Sequence, residues 1–175
     1  MSSFAQMLQQ WSVFFSALAQ VSGGLTGLIV VALTFNARTL GVNGDPMLGA
    51  LARQTYGDFV VLLLVSLIMM VPNVGTANLA LILLTSSGLA ALRILRSLLT
   101  LRHQLRHPTG GWEITQRFLL SAVAHVLIAA VGIELLHENP VLDRLGSLLF
   151  SGVIMLLLSG CRSAWLLIVT GTEGR

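Results

Sequence analysis

The chain contains no lysine; all ten of its Lys/Arg positions are arginine. Without lysine there is no G-x-x-x-x-G-K-[ST] loop, so the cluster Gly23, Gly24 and Gly27 has no cation behind it to reach a nucleotide phosphate. Cysteine is nearly missing too. Cys161 stands alone, which excludes an internal disulfide and a cysteine-based metal cluster. Aromatic residues make up 6% of the chain and do not interleave with the arginines, which argues against stacking on nucleic-acid bases. Neither H-E-x-x-H nor G-x-S-x-G occurs. The expectation is a protein that is not an enzyme and carries no cofactor.

The scarcest commodity is charge. Only 10% of the 175 residues are charged while 55% are hydrophobic, and the mean hydropathy is +0.86. An average soluble domain carries roughly 25% charged residues. So few charges cannot cover so large an apolar fraction in water, and an integral membrane protein is the direct reading. Ala17-Leu18-Ala19 resembles a signal-peptidase site, but no basic residue precedes it, so the first segment is expected to stay.

Five apolar segments have the length for a crossing: about 14–35, 50–71, 76–100, 116–137 and 147–170. Asp45-Pro46 reads as an N-cap followed by proline at the first helical position. Val71-Pro72-Asn73 closes that second segment, and Pro108-Thr109-Gly110-Gly111 closes the third. No alternation of period two persists, so strands are not expected. The predicted fold is an all-α membrane bundle of five transmembrane helices forming a single domain over residues 1–175.

Arginine placement predicts orientation. With the N-terminus outside, Arg38, Arg53, Arg93, Arg96, Arg102, Arg106, Arg117, Arg162 and Arg175 fall on the inner side and only Arg144 on the outer. Positive charge stays in the cytoplasm during insertion, so an N-out, C-in topology follows. Trp11 then marks the outer interface, and Trp112 and Trp165 the inner one.

Ionisable groups inside a span are costly and therefore functional candidates. Counted along their helices, Asp58, Arg93 and Arg162 lie about 20–25 Å from the outer ends of their helices. Asp58 is expected to pair with Arg93 or with Arg162. In the fourth segment Ser121, His125 and Gly132 share one face, whereas Glu134 points the opposite way. His125 is the deepest imidazole and Glu134 lies near the outer end. Ser121 and His125 are one turn apart, but nothing near them supplies an orienting carboxylate or an oxyanion hole.

The stretch 93–107 is a basic helical extension. Arg93, Arg96, Ser97, Thr100, His103, Gln104 and His107 share a face. A helix from 76 to 107 is about 48 Å long against a hydrocarbon core of about 30 Å, so its end must leave the bilayer on the inner side. Arg102, His103, Arg106 and His107 are candidates for contact with acidic lipid or with a membrane-protein partner. Arg93 and Arg96 are candidates for the mouth of a pore. His103 and His107 have chelating spacing, but flanking arginines and the lack of a carboxylate oppose a metal.

Small residues mark close-packing faces: Ala19, Gly23 and Gly27 in the first helix, Ser151 and Gly152 in the fifth. They predict self-association. The run Gly24-Leu25-Thr26-Gly27-Leu28-Ile29-Val30-Val31-Ala32-Leu33, leaving at Asn36 before Arg38, resembles the first helix of a group of small bacterial multi-span inner-membrane proteins. Some of these are labelled modulators of the FtsH protease. The resemblance implies a bacterial inner membrane and transfers no functional residue. Two functional expectations follow from the residues: a homo-oligomeric ion channel with a basic cytoplasmic mouth, or a non-conducting accessory protein that binds a partner or acidic lipid through its basic helix. Nucleic acid is not an expected partner.

Overall fold

The computed structural model describes residues 9–35, 46–71, 75–101, 111–137 and 142–173. They form five helices and, among the described residues, no strand: α1 (Ser12–Phe35), α2 (Pro46–Met69), α3 (Thr76–Leu101), α4 (Gly111–Glu134) and α5 (Leu142–Glu173). Arg102, His103, Arg106 and His107 lie outside the described residues, as does the capping position Asp45.

Local sequence accounts for the boundaries. Pro46 opens α2, where a ring-fixed φ and a missing N–H cost nothing. The same helix closes through tightened bonds, Met70 N–H to the Leu67 carbonyl at 3.2 Å and Val71 N–H to the Ile68 carbonyl at 3.1 Å. Pro72 follows and cannot continue the ladder. α4 ends in the same way, with His137 N–H on the Glu134 carbonyl at 3.1 Å.

Four helices close into a ring. α2 packs on α3, α3 on α4, α4 on α5, and α5 back on α2. Successive helices run antiparallel, as their pairings require: Ile94 of α3 against Phe118 of α4, and Gly132 further along α4 against Ala80 and Leu84 nearer the start of α3. α2 and α4 are therefore diagonal partners across the bundle centre. α1 lies outside the ring, against α2 and more lightly against α5. In α2 61% of the spanning window is buried, against 17% in α1, so α2 is the central helix and α1 the peripheral one.

Helix directions define two ends. Trp11, just before α1, and Phe14 of α1 contact the Phe150 ring of α5 at one end, and Phe15 contacts both Trp11 and Phe14. Leu33, Leu51, Ala52 and Leu167 cluster at the other. Between them Phe59, Leu62, Val65, Leu83, Ile128, Val153 and Leu156 form the continuous core. Close approach comes from glycine. A Cβ on Gly132 would sit 2.9 Å from Leu84 Cγ and 3.2 Å from the Ala80 carbonyl oxygen; one on Gly152 would sit 3.3 Å from the Ala124 carbonyl oxygen.

Four helices are long and apolar enough to cross a membrane: α1, then Gly49–Met69 of α2, Thr76–Leu99 of α3 and Arg144–Trp165 of α5. In α4 the apolar part among the described residues is Phe118–Glu134. The exterior is apolar on every helix, as Val13, Leu28, Leu64, Leu81, Leu119, Val126 and Leu158 illustrate. That surface suits lipid and not water.

Candidate functional site

The polar residues of the spans do not face outward as a group. Gln54, Thr55, Asp58, Ser66, Ser87, Ser121, His125, Ser159 and Ser163 are all buried. Three buried hydroxyls solve their own problem. Ser22, Thr55 and Ser66 each donate to the carbonyl four residues back, at 2.7, 2.8 and 2.6 Å. Gln54, Asp58 and Ser121 cannot, and they solve it together.

Gln54 and Asp58 are one turn apart on α2, so their side chains project from one face. Gln54 Nε2–H donates to Asp58 Oδ1 at 2.9 Å and to Ser121 Oγ of α4 at 2.7 Å. The Ser121 hydroxyl donates in turn to Asp58 Oδ1 at 3.0 Å. These bonds cross the diagonal of the ring, where the two backbones have few contacts of their own. Deep in the bundle each such bond is strong, and each missing one is costly.

α3 supplies the countercharge. Arg93 is half-buried, and its guanidinium lies across the bare backbone of Gly57, beside Asp58. A Cβ at Gly57 would collide with the guanidinium and come within 2.7 Å of Cζ. Glycine is thus the residue that leaves room for the arginine. Arg93 acts electrostatically on both Asp58 and His125. A nearby opposite charge lowers the cost of carrying an ion at this depth.

His125 sits one turn beyond Ser121. Its Nδ1 bonds the Ser121 carbonyl oxygen at 2.8 Å. A carbonyl only accepts, so Nδ1 carries the proton, and in the neutral ring Nε2 is a bare acceptor. Nε2 is buried and has no partner. Among the described residues one other buried side-chain atom shares that state, the hydroxyl of Ser87 on α3.

Three of the residues singled out from sequence, Asp58, Arg93 and His125, thus meet at one junction of α2, α3 and α4. The others lie apart. Arg96 is exposed one turn further along α3, and Arg162 is exposed on α5. Glu134 is half-buried at the far end of α4 from the junction. Gly23 faces Leu63 of α2 at 3.8 Å, Gly152 faces α4, and Ala19 is half-buried; Gly24 and Gly27 have nothing within 4 Å. Gln54, Gly57 and Ser87 were not singled out. The i, i+4 spacing of Gln54 and Asp58 was a visible signal; Gly57 and Ser87 carried none without their neighbours. No group of three or more His, Cys, Asp or Glu that could hold a metal occurs among the described residues.

The chemistry of the junction is that of proton and hydrogen-bond exchange: carboxylate, hydroxyl, amide, imidazole and guanidinium in one apolar surround. Comparison with family models, curated proteins and solved structures gives no match.

Proposed function

We propose that this chain is a five-span protein of a bacterial inner membrane, N-terminus outside, that conducts protons through its own bundle at the Asp58–Ser121–His125–Arg93 junction. One observation carries the reading. The network is open-ended. It joins two groups that can each take up and release a proton, the Asp58 carboxyl and the His125 imidazole, through Ser121, and His125 Nε2 has no partner among the protein's described side chains. The apolar stretch Phe118–Glu134 of α4 is about 25 Å long, close to the hydrocarbon thickness, which supports a fifth crossing inside the ring.

The test uses purified full-length protein in liposomes with a trapped pH-sensitive dye and an imposed potassium diffusion potential. Proton influx is expected with the wild type and is lost in Asp58→Asn and in His125→Phe. Arg144→Gln, at the opposite end of the molecule, keeps it. Vesicles containing inserted wild-type protein that acidify no faster than empty ones would overturn the proposal.

A second reading, a pore along an axis shared between copies, draws on α1. Gly24 and Gly27 face outward with open space around them, which leaves a backbone surface for another helix. It predicts anion or cation currents whose selectivity changes in Arg96→Ala. Single-copy conductance in membranes seeded at high dilution would exclude it.

A further inference from the structure

The unpartnered Nε2 of His125 asks for an occupant, and its surroundings restrict what that occupant is. His125 is 3% exposed, so bulk solvent does not reach the ring. In the neutral ring Nε2 needs a donor, because Nδ1 already spends its proton on the Ser121 carbonyl. A metal ion fits poorly: Arg93 places positive charge beside the ring, and the described residues offer no cluster of three ligating groups. An anion fits poorly as well, since the Asp58 carboxylate shares the junction and a bare nitrogen cannot donate to it. What remains is a small neutral molecule that both gives and takes hydrogen bonds.

The helix register supplies its second partner. Ile94 packs on Phe118, and Leu98 and Ala122 join the same cluster. Gly132 meets Ala80 and Leu84. These pairings bring Arg93 to the level of Ser121, and they put His125 in the row of α4 residues that faces α3. The Arg93 guanidinium has five N–H donors in a fixed fork. Its contact with Gly57 fixes where the fork lies, at the meeting of α2, α3 and α4.

We infer that one water molecule is bound at this junction, accepting from an Arg93 N–H and donating to His125 Nε2. Buried waters of this kind satisfy two to four polar groups and are part of the structure. Water also suits both protonation states of the ring, since it can accept from Nε2–H after the imidazole gains a proton. The water deepens the proton-conducting reading; it rests on that reading for its role in passing a proton, and its presence is tested separately.

The experiment is water-edited solid-state NMR on the full chain in lipid bilayers, with histidine labelled in 13C and 15N. The His125 resonance is identified by its disappearance in His125→Phe. In the wild type, magnetisation is expected to pass from water to the His125 ring despite its burial. Arg93→Gln keeps an N–H donor and keeps the transfer; Arg93→Met removes the donor and the transfer is lost. A wild-type His125 ring that receives nothing from water overturns the inference, as does transfer of equal strength in Arg93→Gln and Arg93→Met. The wild-type spectrum decides even if Arg93→Met does not fold. Transfer without proton flux in liposomes would retain the water and discard the conduction.

Discussion

Asp58 illustrates how one residue depends on three helices. Its Oδ1 takes two hydrogen bonds, one from its own helix and one from α4, and Arg93 of α3 supplies the charge. Removing the middle of that arrangement is the most informative single change. Ser121→Ala deletes one of the two donors to Asp58 Oδ1 and one of the two acceptors of Gln54 Nε2, two buried hydrogen bonds worth about 1 kcal/mol each. Thermal unfolding in mild detergent should show the loss, and Ser121→Thr, which restores the hydroxyl, should recover most of it. Gly57 offers a second check at this scale. Gly57→Val puts a branched side chain where the Arg93 guanidinium lies, so the arginine must leave. The expected result is destabilisation that Gly57→Val/Arg93→Met double replacement relieves in part; fully additive effects would show that the two residues do not share the space.

Among the elements, α2 and α1 mark the extremes. α2 is enclosed by α1, α3 and α5 and bonded across the ring to α4; α1 touches the ring along one face, through Phe15, Leu18, Ser22 and Ile29. In lipid the burial of apolar side chains brings little solvent gain, because the alternative surround is equally apolar. Packing and polar contacts therefore decide helix association, and the glycine contacts of α4 acquire weight. Gly132→Leu is expected to separate α3 from α4 and lower the detergent melting temperature clearly. Gly27→Leu adds the same side chain where nothing stands within 4 Å and is expected to leave the melting temperature of the single chain unchanged. If Gly27→Leu nonetheless abolishes chemical cross-linking between copies, the outward face of α1 is the surface on which copies meet.

For the whole molecule the distribution of charge sets the expectation. Helix directions put Arg53, Arg93, Arg96 and Arg162 towards one end of the bundle and Arg144 at the other. Insertion keeps arginine-rich ends in the cytoplasm. With Cys161 replaced by serine, a single cysteine at position 137 should react with an impermeant thiol reagent applied to intact cells. One at position 116 should react after the inner side is exposed. Labelling of both positions from outside would exclude a crossing by α4 and overturn the proposed five-span topology.

Much of the fold is legible in the residue string because its determinants are local. Length and apolarity define a crossing segment, Pro46 and Pro72 bracket α2, and short connections force neighbours to run antiparallel. Depth along a helix is also local arithmetic, which is why Asp58 and Arg93 could be placed level with one another before any neighbour was known.

Facing is not local. The small residues of α1 and α5 looked alike in sequence, yet Gly152 lies against α4 while Gly27 has open space, because each helix turns the side that its neighbours can fill. Ser121 was one polar residue among several in its span until the ring put α4 diagonally opposite α2 and made it the partner of Gln54 and Asp58. Sequence alone determined the solvent this protein prefers, the number of its long apolar segments and the levels of its charges, since those follow from composition and rise per residue. Only the tertiary structure decided which of those charges share one junction and which buried atoms remain open, since that depends on the rotation of each helix against the rest.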